Sequence, residues 1–187
     1  MSSSQYNPKK HHRRSIRLKN YDYSQPGAYF VTICTREREC LLGEIQNGEM
    51  KMNELGEIIW DIWQLLPERY PQIKLGPAVV MPNHFHAIIE IVNSVGGIHE
   101  SPKRESGRDI NDPQTRRKMT IPLVMGYFKM NTAKRINQIL GTTGSPFWQR
   151  DYYEHISRNE PEYEQTALYI MGNPQNWEED EEYFKGK

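Results

Sequence analysis

Residues 84–92 carry the sequence His-Phe-His-Ala-Ile-Ile-Glu-Ile-Val. The isoleucines at positions 88, 89 and 91 leave few polar positions in this segment, and β-branched residues favour strands. A strand without regular apolar–polar alternation is typical of the centre of a sheet, where both faces are buried. We therefore predict a central strand at residues 84–92, entered through a turn at Pro82 and Asn83.

The segments on either side predict an alternation of strands and helices. In chain order, the predicted elements are a strand at residues 28–35, a helix that starts at residue 53 and ends between 67 and 70, strands at 75–81 and 84–92, a helix at 121–140, an extended segment at 147–153 and a helix at 159–173. A short hairpin is also predicted around Asn47 and Gly48. This order is a split β-α-β pattern. The predicted fold class is therefore α+β and ferredoxin-like, with an antiparallel sheet and helices packed on one face.

The chain has 187 residues, a formal net charge of zero and 36% apolar residues, which fits one domain with long polar segments. The charge is unevenly distributed. We divide the chain into a basic arm at residues 1–26, a folded domain at 27–177 with a long polar loop at 93–119, and an acidic tail at 178–187 to which no role is assigned. A basic arm favours a polyanionic partner, because each phosphate contact releases counterions.

The two cysteines, Cys34 and Cys40, have a spacing that matches no common zinc or redox motif, and a disulfide framework is not expected. No apolar segment approaches the roughly 18 residues of a membrane span, and the N-terminus lacks the apolar core of a signal peptide. We therefore expect a cytoplasmic protein, with reduced cysteines and without a membrane partner.

The first candidates for chemistry are His84 and His86, two residues apart on the predicted central strand. Side chains alternate along a strand, so both imidazoles project from the same face. Two neutral imidazoles on one face can bind a single divalent ion. The pair also begins a strongly apolar strand, where a histidine is costly unless its polar atoms are satisfied. A pair with this spacing is more often incidental than metal-binding, and its position at the start of an apolar strand after Met81-Pro82-Asn83 strengthens the case for a metal site.

Two tyrosine–asparagine pairs are candidates to complete this site. Tyr169 and Asn173 lie four residues apart on the third predicted helix, so they share one face of it. Tyr127 and Asn131 have the same spacing on the second predicted helix. A structural alternative makes Tyr169 a core tyrosine and Asn173 a helix cap ahead of Pro174. Helical periodicity does not decide between the two pairs.

Three sequence motifs resemble those of a known family. The sequence MPNHFH at residues 81–86 resembles the His-hydrophobic-His motif of the single-tyrosine transposase superfamily. The sequences FWQRDYYEH at 147–155 and YIMGNP at 169–174 resemble the C-terminal signatures of its REP-associated branch. The motifs occur in the order that the family has, and the resemblance extends from about Arg13 to Trp177. On these motifs the chain is similar to REP-associated tyrosine transposases.

The resemblance implies a metal-dependent single-stranded DNA endonuclease and strand transferase that acts on hairpin-forming DNA. The residues that match the family's ligands for magnesium or manganese are His84, His86 and Asn173. The match also makes Tyr169 the nucleophile in preference to Tyr127, with a 5′-phosphotyrosine and a free 3′-OH as products of its attack. The alternative is a non-catalytic, domesticated protein that recognises repeat hairpins, although every catalytic residue type is present.

Basic and aromatic residues are candidates for DNA contacts. The predicted DNA-binding residues are Arg13, Arg14 and Arg17 in the arm, Lys129 and Lys134 on the second helix, Arg150 near Trp148, and Arg158 before the third helix. Each of the last four is equally explained as a solvated surface charge. Trp148, Tyr152 and Tyr153 are candidates for stacking on bases, but for Trp148 and Tyr153 we favour the core. The sequence leaves both a monomer and a homodimer open.

Overall fold

The computed structural model describes residue 18, residues 20–92 and residues 109–183. The strands are β1 (Gly27–Cys34), β2 (Gly43–Gln46), β3 (Glu49–Met52), β4 (Ile73–Val80), β5 (His84–Ile91) and β6 (Tyr153–Ser157). The helices are α1 (Glu54–Gln64), α2 (Leu66–Arg69), α3 (Pro113–Arg117), α4 (Thr120–Leu140) and α5 (Glu160–Gly172). Single turns of 3-10 helix occupy Arg36–Arg38 and Trp177–Glu179.

Four strands form one sheet in the order β4-β5-β1-β6, and each neighbouring pair is antiparallel. β2 and β3 pair separately as a short hairpin. The crossover from β1 to β4 contains α1, and the crossover from β5 to β6 contains α4, which is the split β-α-β arrangement. The predicted α+β, ferredoxin-like class is confirmed. The predicted central strand is β5, which lies between β4 and β1.

The two faces of the sheet contact different helices. Phe85 and Ala87 of β5 point into the main core, which also contains buried residues of α1 and α4. Ile88 points to the opposite face and packs against Ala167 and Ile170 of α5. The two crossover helices thus share one face, as predicted, and the C-terminal helix is an addition that covers the other. The even-numbered positions of β5 therefore lie on the face that α5 covers.

The ends of α5 are set by local sequence. The Asn159 side chain accepts a hydrogen bond from the Glu162 backbone N–H at 3.0 Å, as an N-cap does. The Glu162 carboxylate in turn accepts a hydrogen bond from the N–H of Arg158, one residue before the N-cap. Asn173 is the C-cap of α5. Pro174 follows it and has no N–H to continue the helix.

Side-chain burial departs from the sequence expectations at one position. Trp148 is buried, as predicted, and its Nε1 donates a hydrogen bond to Thr132 Oγ1. The prediction that Tyr153 belongs to the core is wrong, because this first residue of the edge strand β6 is 52% exposed. Met171, an apolar residue of α5, is also exposed, at 62%. An edge strand and the outer surface of a helix both leave apolar side chains in contact with solvent.

The predicted polar loop at residues 93–119 is described only from residue 109 onward. This part contains α3, whose N-cap Asp112 accepts a hydrogen bond from the Thr115 N–H at 2.8 Å. Residues 93–108 lie outside the described residues, and so do the predicted DNA-binding arginines of the arm, Arg13, Arg14 and Arg17. In the described part of the chain, no helix is both long enough and apolar enough to cross a membrane.

Candidate active site

His84 and His86 lie on the face of β5 that α5 covers, and both are buried. Their ring centroids are 4.3 Å apart. Thr32 Oγ1 lies 2.8 Å from Nδ1 of His86, and Asn83 Oδ1 lies 2.8 Å from Nδ1 of His84. An amide oxygen can only accept, so Nδ1 of His84 carries the proton and its Nε2 presents a lone pair. Anchoring one ring nitrogen in this way orients the other for a metal.

The protonation state of His84 also suits a metal ligand. Burial, and to a smaller extent the neighbouring His86, lower the pKa of His84 to about 3. The imidazole is therefore neutral at physiological pH, the form in which it binds a metal. Its Nε2 is buried and has no hydrogen-bond partner among the described residues. A buried polar atom without a partner costs free energy, which a cation at this position would recover.

Asp180 joins the histidines as a third candidate ligand. One ligand atom from each of His84, His86 and Asp180 lies within 4.8 Å of the others. Oδ1 of Asp180 is 4.0 Å from His84 Nε2, and Oδ2 is 3.8 Å from His86 Nε2. Burial raises the pKa of Asp180, but the neighbouring His86 and a hydrogen bond from Asn173 outweigh it and hold that pKa below its usual value. The carboxylate is therefore charged inside the site.

Asp180 is the site residue that sequence analysis missed. It lies within the run of acidic residues 178–182, and nothing in the local sequence distinguishes position 180 from its neighbours. Two contacts bring this segment to the site. The Trp177 ring lies 5.8 Å from that of His84, and the Asn83 side chain donates a hydrogen bond to the Glu182 carbonyl at 2.9 Å. Part of the segment classed as an acidic tail therefore packs over the histidines.

Tyr169 of α5 reaches the same group. Its hydroxyl donates a hydrogen bond to Asp180 Oδ2 at 2.9 Å and lies 3.3 Å from His86 Nε2. The side chain is 43% exposed, so it stands at the edge of the helix and is open to solvent. Burial of the hydroxyl end, followed by the charge of Asp180, raises the pKa of Tyr169 above its usual value. The phenol is therefore protonated when no cation is bound.

Asn173 lies one turn of α5 beyond Tyr169 and is 2% exposed. Its Nδ2 donates a short hydrogen bond to Asp180 Oδ2. Its Oδ1 is buried and has no hydrogen-bond partner among the described residues. Asn173 thus serves as the helix C-cap and also presents an unpaired amide oxygen, a donor type that hard cations accept.

The rival pair, Tyr127 and Asn131, lies elsewhere. Both belong to α4, which packs on the opposite face of the sheet from the histidines. The Tyr127 ring packs against Tyr70 and lies beneath the Arg69 guanidinium, 4.6 Å from it. The Asn131 Nδ2 donates to the Tyr127 carbonyl at 2.8 Å. The structure therefore places Tyr169, and not Tyr127, beside the histidines.

A cavity of about 590 Å³ opens beside Tyr169. The lining residues are Phe30, Thr32, His86, Tyr153, Tyr169, Glu179, Asp180, Glu181 and Glu182. The lining therefore combines aromatic rings with four consecutive acidic residues. An anion such as a phosphate is repelled by these carboxylates unless a cation offsets their charge.

Four of the predicted DNA-binding residues lie in the described part of the chain, and none of the four lines this cavity. Lys129 Nζ donates hydrogen bonds to the carbonyls of Gln149 and Arg150, at 2.7 and 2.8 Å, and thereby fastens the segment before β6 to α4. Lys134 lines a separate cavity between α1 and α4. Arg150 and Arg158 are exposed at the two ends of β6.

Comparisons with known proteins agree with this architecture. No family model matches the chain. An uncharacterized protein of Haemophilus influenzae is 40% identical over 184 residues, which are 97% of this chain and 98% of that protein. The structure of a REP-associated tyrosine transposase bound to a REP hairpin is similar with a TM-score of 0.55 at 18% identity, covering 87% of this chain and 73% of that one. The structural match shows a shared fold, the fold that the three motifs led us to expect.

Proposed function

We propose that this chain, which belongs to the same family as the Haemophilus influenzae protein, is a metal-dependent single-stranded DNA endonuclease and strand transferase. It would act on hairpin-forming DNA as a transposase does, through a 5′-phosphotyrosine intermediate. The resemblance of three motifs to REP-associated tyrosine transposases supports the proposal. The fold that the chain shares with a transposase of that name, itself bound to a REP hairpin, supports it as well.

One observation carries the proposal. The Tyr169 hydroxyl lies 3.3 Å from Nε2 of His86, although the two residues are 83 positions apart in the sequence. The residue singled out as the nucleophile and the residues singled out as ligands thus share one site. A scissile phosphate held at the histidines would lie next to the phenolic oxygen, which is the geometry that nucleophilic attack requires.

The residues fit a magnesium or manganese ion. His84, His86 and Asn173 are the proposed ligands, and Asp180 offers a further oxygen that groups with the two histidines. Nε2 of His84 and Oδ1 of Asn173 are buried without a hydrogen-bond partner in the described part of the chain, and a cation would satisfy both. When bound, the ion would withdraw charge from the scissile phosphate and help to orient it for in-line attack.

Tyr169 would attack the phosphorus of the scissile phosphodiester. Its oxygen forms the new P–O bond while the bond to the 3′ oxygen breaks, and the leaving oxygen takes a proton to become a free 3′-OH. The phenolic proton leaves to solvent as this bond forms, and Asp180 would orient the phenol, because its Oδ2 already accepts the Tyr169 hydrogen bond at 2.9 Å. Attack of a 3′-OH on the phosphotyrosine reverses the step, so that joining needs no nucleotide cofactor.

The test is the formation of a covalent adduct. The full chain is incubated with manganese and a labelled pool of DNA hairpins with randomised single-stranded tails, then resolved by denaturing electrophoresis. We expect a labelled band at the mass of the protein plus the attached strand that Tyr169→Phe abolishes and that the matched variant Tyr127→Phe retains, because Tyr127 lies on the other face of the sheet. Hairpin binding that is independent of metal, with no adduct at any metal concentration, would favour the non-catalytic alternative and overturn the proposal.

A further inference from the structure

We propose that Tyr153, together with Phe30, binds one unpaired nucleobase next to the phosphate that Tyr169 attacks. This inference rests on the proposed function, because it assigns a position to the substrate within the same cavity. It gives a role to an aromatic residue that neither the fold nor the chemistry above requires.

Tyr153 is an exposed ring at the mouth of the cavity. It is the first residue of the edge strand β6, lines the cavity and is 52% exposed. Its ring meets Phe30 in an edge-to-face contact, with centroids 6.2 Å apart. A contact of this geometry leaves ring surface free for a second partner. Exposed aromatic rings on a sheet are a common platform for single-stranded bases.

The aromatic surface is continuous from Tyr153 to the nucleophile. The Phe30 ring stacks on His86 at 5.3 Å and meets the Tyr169 ring edge-on at 6.2 Å. Phe30 therefore touches the proposed nucleophile and one proposed ligand on one side, and Tyr153 on the other. A base on Tyr153 would belong to a nucleotide adjacent to the phosphate at Tyr169.

Charge favours a base beside Tyr153. The cavity is also lined by Glu179, Asp180, Glu181 and Glu182, whose carboxylates repel a phosphate but not a neutral base. Asp180 lies at the histidines, so a phosphate placed there needs a cation that offsets the negative charge. The base is then best placed on the aromatic rings of Tyr153 and Phe30.

The occupant is an unpaired base. Stacking on a protein ring requires a free π face, which a base inside a duplex does not have. A cavity of about 590 Å³ lies in the usual range for a small-molecule pocket, so it suits a single nucleotide. The substrate predicted by this surface is therefore a single-stranded segment, with its cleaved phosphate beside the base that Tyr153 holds.

The test uses a thymidine octanucleotide that carries one 2-aminopurine, in the presence of magnesium and the full chain. Stacking quenches 2-aminopurine fluorescence, and base–aromatic stacking tolerates any sequence, so the natural target is not needed. We expect quenching by the wild type and by Tyr153→Phe, which keeps the ring. We expect affinity about ten-fold weaker, and no quenching, for Tyr153→Leu, which keeps an apolar side chain without a π face.

Unchanged quenching by Tyr153→Leu, or no quenching by the wild type, would overturn the stacking site. The fluorescence signal does not depend on strand cleavage, and Tyr169→Phe is expected to quench as the wild type does. Quenching that needs the Tyr153 ring in a protein that forms no adduct would support the stacking site and contradict the nuclease. A protein that forms the adduct but does not quench the fluorescence would support the nuclease and contradict the stacking site.

Discussion

Hydrogen bonds with neighbouring side chains set the orientation of the two imidazole rings. Thr32 Oγ1 lies 2.8 Å from Nδ1 of His86, on the side of the ring away from Asp180. Partners of this kind orient a ligand, and their loss weakens metal affinity about 10- to 100-fold. We predict a loss in this range for Thr32→Val, measured by calorimetric titration with manganese.

The matched control for Thr32→Val is the same substitution at Thr132. Thr132 is also buried, but it lies in α4 on the other side of the sheet, where its Oγ1 accepts a hydrogen bond from Trp148. We expect Thr132→Val to lower stability and to leave manganese affinity unchanged. Equal losses of affinity in the two variants would mean that the Thr32 contact with His86 does not orient a ligand.

The buried, neutral His84 ring should make the metal-free protein sensitive to acid. Burial first and His86 second lower its pKa from 6.5 to about 3, so below pH 6.5 the unfolded chain binds this proton more tightly than the folded protein does. The stabilisation is fully present above the unfolded pKa and is lost as pH falls towards the folded one. From this group we predict a loss of about 3 kcal/mol of unfolding free energy between pH 7 and pH 4.

Urea denaturation of the wild type and of His84→Gln checks the acid sensitivity. The variant has no group that titrates at this position, so its unfolding free energy should fall less over the same pH interval. Parallel pH dependences in the two proteins would show that the buried imidazole is not responsible.

At the scale of the elements, a substitution at the start of α1 is expected to lower stability without changing the candidate site. Asn53 caps this helix, because its Oδ1 accepts hydrogen bonds from the N–H groups of Leu55 and Gly56 at 3.0 and 3.1 Å. We predict that Asn53→Ala lowers the free energy of unfolding by about 1 kcal/mol. Since α1 packs on the face of the sheet away from the histidines, manganese affinity should not change. Thermal denaturation and calorimetric titration measure the two quantities, and a coupled loss of both would contradict the separation of the two faces.

Sequence periodicity predicts elements well where one segment carries its own signal. The apolar residues of β5, the cap at Asn53 and the cap at Asn159 are local features, and the strands and helices follow from them. Periodicity does not predict which face of the sheet a helix covers. For this reason the packing of α5 on the face opposite α1 and α4, and the exposure of Tyr153 at the sheet edge, emerged only from the structure.

For the whole molecule, the candidate site is assembled from distant parts of the chain. His84 and His86 come from the central strand, and Tyr169 and Asn173 come from the C-terminal helix. Spacing within each element makes these four residues candidates, because it is a local property, and the resemblance to the transposase motifs selects Tyr169 and Asn173 over Tyr127 and Asn131. Asp180 follows the 3-10 turn at Trp177–Glu179. No local sequence pattern predicts that this segment lies beside the histidines.

The most direct test of this account is to locate the covalent bond. The manganese-dependent adduct is formed with the hairpin pool, digested with protease and nuclease, and sequenced by tandem mass spectrometry. We predict a nucleotide phosphate on Tyr169, the phenol that lies 3.3 Å from His86. A nucleotide phosphate on Tyr127 or on any other tyrosine, or a digest in which no tyrosine is modified, would contradict it.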